Sequence, residues 1–128
     1  MATFPAVTGD VLTAAMYNGL TTFTVNPQTT TAYVPVLNDG YQVLVTVSNA
    51  SANTFKLPTN AAVAYPTGTV ITVLNIGAGT TTISAVTPAT TIVLSAGATA
   101  ASPTLTQYKS AACIKTGTDA WYIVGAIA

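Results

Sequence analysis

Short stretches of alternating apolar and polar residues run from Thr30 to the C-terminus, and they restrict this chain to a β-rich fold. Typical examples are "YQVLVTVS" (41–48), "TVITVLN" (69–75) and "TTTISAV" (80–86). Successive side chains of a strand point to opposite faces of a sheet, and β-branched residues favour that surface. About eight such stretches recur at spacings of roughly 8–12 residues, which is the pattern of an antiparallel sandwich or barrel.

The connections favour a sandwich over a closed barrel. The strands are uneven in length, and "NAAVAYPTG" (60–68) and "AGATAASP" (96–103) have the character of crossings between sheets. We therefore predict an all-β fold: an antiparallel β-sandwich, jelly-roll or Greek-key-like, with about eight short strands. Two hairpins are expected, one across 69–86 around "IGAG" and one across 104–127 around "GTD". No repeat of about 20–50 residues is visible.

The first 25 residues have a different pattern. "MATFPAVT" (1–8) predicts an extended arm, and "GDVLTAAMYNGL" (9–20) predicts one short helix with Thr13 as N-cap and Gly19 after its end. A helix of about two turns is not stable alone in water, so it must dock, either on a partner or on its own domain. We divide the chain into an attachment segment, 1–25, and a β-sandwich domain, 26–128.

The charge content excludes several functions. The 128 residues include three Lys or Arg, three Asp or Glu and no His. Nucleic-acid binding needs more cations than this, and no run approaches the ~18 apolar residues of a membrane span. Zinc, calcium and phosphate sites lack their usual ligand patterns. We therefore expect no nucleic acid, membrane, metal or cofactor partner.

Catalysis is not expected either. Without His or Glu, acid–base chemistry would rest on Asp10, Asp39 and Asp119, which are explained by a helix start and two turns. Cys113 lies in the middle of a strand with no His to activate it, although Lys109 and Lys115 share its strand face and could lower its pKa if that face is exposed.

The aromatic residues leave one alternative open. Tyr65 and Trp121 are possible ligand-facing residues that could stack on sugar rings, and the competing interpretation is that they pack in the core or in a subunit interface. Exposure of either residue at a distal tip would favour a glycan-binding module, whereas burial of both would argue against one.

Two parts of the sequence resemble structural proteins of tailed bacteriophages. "GDVLTAAMYNGL" is similar to a short N-terminal segment, roughly G-x-x-LTAA-x-x-N-x-L, of virion proteins. "NDGYQVLVTVSNASANTFKLPTNAAVAYPTGTVITVLNIGAGTTTISA" and "IKTGTDAWYIVGAI" resemble β-rich modules of head-decoration, fibre and tail proteins. The chain departs from that pattern at Met16, where the family usually carries an acidic residue.

The resemblance implies a non-enzymatic virion protein, and we expect a capsid decoration (cement) protein. Its partners would be the major capsid protein or another virion protein, together with further copies of itself in a homotrimer on the capsid surface. The attachment contacts would be apolar and nearly independent of salt, with the following anchors: Phe4, Val11, Leu12, Met16, Tyr17 and Leu20. The alternative is a tail or head-fibre module that binds a host-surface glycan.

Overall fold

Residues 22–128 form ten strands and one 3₁₀ helix. This structure is a computed structural model, and it describes residues 22–128 and, before them, Ala14, which is helical and exposed. The elements in chain order are β1 Thr24–Gln28, β2 Ala32–Tyr33, the 3₁₀ helix Leu37–Gly40, β3 Val43–Val47, β4 Asn53–Leu57, β5 Val70–Asn75, β6 Thr81–Ala85, β7 Ile92–Ser95, β8 Thr104–Leu105, β9 Lys109–Gly117 and β10 Ala120–Gly125.

The strands form two mixed sheets. Sheet A has the order β1-β3-β5-β9-β10-β7, and sheet B has the order β2-β4-β6-β8. The first six strands alternate between the sheets, so that each odd-numbered strand joins sheet A and the next joins sheet B. Within each sheet, these successive strands run parallel to one another.

The chain between β1 and β6 therefore makes three stacked coils, each with one strand in each sheet. Between the second and third coils, Val45 lies opposite Val73 and Phe55 lies opposite Ile83, an offset of 28 positions in both sheets (45 to 73 and 55 to 83). The sequence analysis missed this structural repeat. Stacked coils need buried apolar side chains at equivalent positions, and these side chains need not be identical.

The all-β class is confirmed, but the strand pairing differs from the predicted antiparallel, jelly-roll or Greek-key pattern. Five of the eight strand pairings are parallel. The hairpin expected across 69–86 is wrong, because β5 lies in sheet A and β6 in sheet B. The hairpin around "GTD" is confirmed by the antiparallel pairing of β9 with β10. The strand β1 was not predicted, and it begins at Thr24, two residues before the expected start of the β domain.

One apolar core lies between the sheets and receives side chains from both. Sheet A contributes inward-facing residues such as Val45, Ile71 and Val73, and sheet B contributes Phe55 and Ile83, all of them fully buried. Alternate residues of these strands face inward, as the period of two predicts. Burial of this shared core is what holds the two sheets together.

The second and third coils stack closely at the corner where the chain passes from sheet A to sheet B. A Cβ atom on Gly79 would lie 2.0 Å from the carbonyl oxygen of Ser51, and one on Gly77 would lie 2.3 Å from the backbone nitrogen of Asn49. In this corner the Gly79 N–H donates to the Asn49 oxygen at 2.9 Å. "IGAG" is therefore a corner that changes sheets, and its glycines allow the two backbones to touch.

A polar cluster around Asp39 connects β1, β2 and the 3₁₀ helix of the first coil. The Asp39 carboxylate is 1% exposed and accepts hydrogen bonds from Asn26 Nδ2 at 2.8 Å, from the Tyr33 hydroxyl at 2.5 Å and from the Val36 N–H at 2.9 Å. Burial and the neighbouring carboxylate raise the pKa of Tyr33 to about 12. Asp39 thus has the structural role in a turn that the sequence predicts.

We expect Gly79→Ala to lower the free energy of unfolding by about 2–4 kcal/mol, because the new methyl group would displace the backbone of the adjacent coil. The matched control is Gly117→Ala, whose Cβ would meet only the Cβ of Ala120 at 3.6 Å, and it should cost less than about 1 kcal/mol. Urea unfolding followed by circular dichroism measures both. Equal effects of the two substitutions would contradict the close stacking of the coils.

Candidate docking surface

The predicted attachment residues cannot be located in the fold. Phe4, Val11, Leu12, Met16, Tyr17 and Leu20 all lie outside the described residues. The segment that contains them joins the β domain next to β1, which is an edge strand of sheet A. Phe23, just before β1, is 56% exposed. The segment is therefore connected at the rim of sheet A.

Neither proposed ligand-facing aromatic residue reaches the surface. Trp121 is 1% exposed and Tyr65 is 3% exposed, and their rings pack edge to face with centroids 5.6 Å apart. The Tyr65 hydroxyl donates to the Val36 carbonyl at 2.5 Å, and burial raises its pKa. The prediction that they face a ligand is wrong, because Trp121 occupies an inward position of β10 and Tyr65 packs on it.

The Asp119 carboxylate connects segments that are distant in the sequence. Asp119 Oδ1 accepts a hydrogen bond from the Asn60 N–H at 2.8 Å and another from the Thr91 hydroxyl at 3.3 Å, which ties the β9–β10 turn to two other segments. Residues 22–128 contain no group of three or more His, Cys, Asp or Glu side chains that could hold a metal. No helix among the described residues is long and apolar enough to cross a membrane.

Cys113 is a buried free thiol. It is fully buried in β9, and this burial raises its pKa to about 12. The possible activation by Lys109 and Lys115 required this strand face to be exposed, and Cys113 and Lys115 are both buried. Desolvation, which disfavours the thiolate, outweighs any attraction from these cations.

The outer face of sheet A is a second apolar surface, separate from the core. Its outward-facing side chains are apolar or carry a hydroxyl, and none is charged. They are Val25, Pro27, Leu44, Thr46, Val70, Thr72, Leu74, Ile92, Leu94, Ser110, Ala112, Ile114, Tyr122 and Val124. Several of the large ones are about half exposed, including Val25 at 55%, Ile92 at 57% and Val124 at 49%.

Strand register arranges these side chains in continuous rows. One row crosses five strands and consists of Val25, Leu44, Thr72, Ala112 and Val124. A second row crosses four strands and consists of Val70, Ile114, Tyr122 and Leu94. Because side chains directly opposite each other on neighbouring strands are in contact distance, each row is a continuous uncharged ridge, and Thr72 is the only member of the two rows with an aliphatic hydroxyl group.

The outer face of sheet B is different. One row across its four strands consists of Ala32, Thr54, Thr82 and Thr104, and Lys56 lies opposite Ser84 beside it. Hydroxyl groups and an ammonium group suit contact with water. The two outer faces of the domain therefore differ in polarity, and only the face of sheet A resembles an unburied core surface.

A shallow depression of about 410 Å³ lies at the β7 end of this face. Leu94, Tyr122 and Val124 of the outer face form part of it, and Ile127 of the C-terminal segment lies on another side. The depression is lined almost entirely by apolar atoms, so it can accept an apolar side chain of a partner but offers few groups that would orient a polar ligand.

The sequence contained a signal for this surface that our prediction did not use. In β3, β5 and β10 both sets of alternating positions include large apolar residues, for example Leu44 beside Val43 and Tyr122 beside Trp121. Strands that are apolar on both sides are typical of sheets covered on both faces. The alternation was used to predict the strands, and the apolar residues on the second face of each strand were not considered.

We expect Cys113 to resist alkylation in the folded protein, because its thiol is buried and its raised pKa keeps it protonated. N-ethylmaleimide at about pH 8 should modify the unfolded chain at least 100-fold faster than the native protein, as measured by mass spectrometry. Since folding requires a neutral thiol, its contribution to stability is retained below pH 9 and lost as the pH rises towards 12. Rapid native labelling would contradict the burial.

No family model, curated protein or solved structure matches the chain.

Proposed function

We propose that this protein is a non-enzymatic structural component of a tailed-bacteriophage virion, and specifically a capsid decoration protein that stabilises the head. The observation that carries the proposal is the uncharged apolar outer face of sheet A, opposite a hydroxyl-rich outer face of sheet B. A protein locked permanently into a particle can keep such a surface, because permanent interfaces are the more hydrophobic kind. The assignment to a phage virion rests on the sequence motifs that resemble virion proteins.

Copies of the same chain are the proposed occupants of this face. An interface between copies brings like residues near one another, and a face without charge can be buried in this way without desolvating an ion. Six strands about 4.8 Å apart and roughly five residues long give a face on the order of 500 Å² in projection. This is the same order as the ~800 Å² of accessible surface that each partner buries in a standard interface.

The attachment segment, 1–25, is the proposed contact with the major capsid protein. Its six apolar anchor residues supply a hydrophobic contact, and it joins the β domain at the edge strand β1, where it can leave the domain without crossing the core. Each apolar Å² buried on the capsid contributes about 25 cal/mol. A decoration protein of this kind adds contacts across the junction between capsomers, which the internal pressure of packaged DNA pulls apart.

The fibre alternative loses its main support in the same structure. It depended on Tyr65 or Trp121 being available to stack on a sugar ring, and both are buried. The exposed tyrosines are separated along the chain: Tyr41 and Tyr108 lie in two different turns, and Tyr122 lies in β10. Recognition of a glycan would also need several polar side chains that bind its hydroxyl groups. The low charge content of the chain therefore favours the decoration proposal.

We expect Val124→Lys to break self-association, because it places an ammonium group at the end of the five-strand row on the outer face of sheet A. Sedimentation velocity at micromolar concentration should show at least a tenfold weaker association constant. The wild-type constant should change little between about 50 and 500 mM NaCl, since apolar contacts are not screened.

The matched control is Thr82→Lys, which adds the same charge in the four-strand row on the outer face of sheet B. It should leave the oligomer unchanged. Circular dichroism establishes that both variants are folded. If both associate like the wild type, or if the wild type is a monomer, the outer face of sheet A is not an interface between copies.

We expect deletion of residues 1–21, which leaves β1 complete, to abolish binding to phage particles that lack this protein while the β domain stays folded and oligomeric. Co-sedimentation with the particles measures binding, and mass photometry measures the oligomer. The full-length variant Leu12→Asp provides a second test, because it removes one apolar anchor and leaves the chain length unchanged.

Unchanged binding of both variants would contradict the attachment role of the N-terminal segment. Loss of folding on deletion, with normal binding by Leu12→Asp, would show that the segment belongs to the core of its own domain.

A further inference from the structure

Lys115 is the least expected residue in the core. It lies in β9 on the same inward face as Ala111 and Cys113, and it is 2% exposed. Its Nζ atom hydrogen-bonds two carbonyl oxygens, and neither of these partners is a carboxylate. Desolvation by burial lowers its pKa, because the charged form has lost its hydration. A lysine whose pKa is lowered in this way releases its proton more readily than one in water, and the neutral amine is the nucleophilic form.

The amine lies directly against the side-chain amide of Asn60. Lys115 Nζ is 2.6 Å from Asn60 Oδ1 and 2.7 Å from the backbone oxygen of Tyr65, and it stands 6.0 Å from the centre of the Trp121 ring. Since a C=O bond is about 1.23 Å long, the amide carbon of Asn60 is at most about 3.8 Å from Nζ. That is close to the roughly 3–3.5 Å separation of reacting atoms in a near-attack arrangement.

A carboxylate completes the cluster. Asp119 Oδ1 accepts a hydrogen bond from the backbone N–H of Asn60 at 2.8 Å, so it holds the backbone of the amide residue in place. Its charge also acts on Lys115, where it partly opposes the effect of burial. An amine, an amide and a carboxylate are thus gathered in one cluster, in which Lys115 is buried against Trp121 while Asn60 and Asp119 are partly exposed.

We propose that Lys115 and Asn60 become joined by an intramolecular isopeptide bond in the folded protein. The inference is independent of the virion proposal, since it rests on this cluster alone. It is a chemical modification of the chain by its own side chains, and it requires no oxidant, cofactor or second protein.

The reaction balances as a transamidation. The lone pair of the neutral Lys115 amine attacks the amide carbon of Asn60, the Nζ–Cγ bond forms, and the carbonyl electron pair moves to Oδ1. A proton passes from Nζ to Nδ2 and makes that nitrogen a leaving group, with Asp119, whose charge acts on Lys115, as the proposed carrier through one water molecule. The Cγ–Nδ2 bond then breaks, the carbonyl re-forms, and one molecule of ammonia departs.

The product would connect two distant parts of the chain. Asn60 belongs to the connection between β4 and β5, and Lys115 lies in β9, which is paired between β5 and β10 in sheet A. The bond would close a covalent loop of the chain from residue 60 to residue 115. Unfolding by heat or force would then leave this loop closed.

The first test needs only the wild-type protein. We expect the mass of the fully denatured chain to be lower than the sequence mass by one ammonia molecule, once the state of Met1 is known from the N-terminal peptide. Lys115→Met and Asn60→Ala should each have the full mass expected from their sequences. Lys109→Met, the matched control at the exposed end of the same strand, should show the same deficit as the wild type.

Trypsin digestion locates the bond, because the chain contains only three lysines, Lys56, Lys109 and Lys115, and no arginine. An unmodified chain gives separate peptides 110–115 and 116–128. The proposed bond blocks cleavage after Lys115 and gives one branched product in which 57–109 is attached to 110–128. This product also distinguishes the bond from cyclisation of an asparagine, which loses ammonia without joining peptides.

Full sequence mass together with the two separate peptides, in protein kept folded for several days, would overturn the proposal. The contribution of Asp119 is tested with Asp119→Asn, whose side-chain oxygen can still accept from the Asn60 N–H. We expect the branched product to form at least 100-fold more slowly in this variant while circular dichroism shows the native fold. Formation at the wild-type rate would overturn the proton-transfer role of Asp119.

Discussion

The close contact between successive corners is the constraint on which the fold depends. Asn75, at the end of β5, is fully buried, and its side chain donates to the oxygens of Gly79 and Leu105 and accepts from the Gly77 N–H. This one side chain thus satisfies two backbone groups of the turn that follows β5 and one carbonyl of β8 in the other sheet. With the glycines leaving room for the preceding coil, the chain can change sheets there and keep its strands parallel.

The positions of the strands were largely predictable, and their pairing was not. The stretches 41–48, 69–75 and 80–86 correspond closely to β3, β5 and β6, because a period of two and β-branched residues report a pleated surface. They do not report the neighbour of each strand. "IGAG" satisfies the same turn preferences whether the next strand folds back beside the first or moves to the other sheet, so the parallel coils were invisible in the sequence.

The candidate sites were predictable only in part. Alternation along β9 already placed Lys115 on the face that carries Cys113, so its inward direction could be derived. Its partner could not, because Asn60 is 55 positions away and joins it only through the tertiary fold. The prediction for the aromatic residues was wrong for a related reason. A tryptophan in a strand can either stack on a ligand or pack in the core, and only the packing of Tyr65 on the Trp121 ring distinguishes these two roles.

The stacked coils also determine how such a chain can change its length. A parallel stack has no natural limit, because each coil offers the next one the same backbone edge. On one side the stack stops because β8 pairs antiparallel with β6 and β9 pairs antiparallel with β5. On the other side it stops at β1, where Pro27 has no backbone N–H that a further strand could bind. Between these two ends, insertion of a whole coil of 28 residues would lengthen both sheets by one strand and leave the terminal strands unchanged. Homologous proteins of different height could therefore arise by duplication of one coil, with the spacing between the two ends increasing in steps of about 4.8 Å.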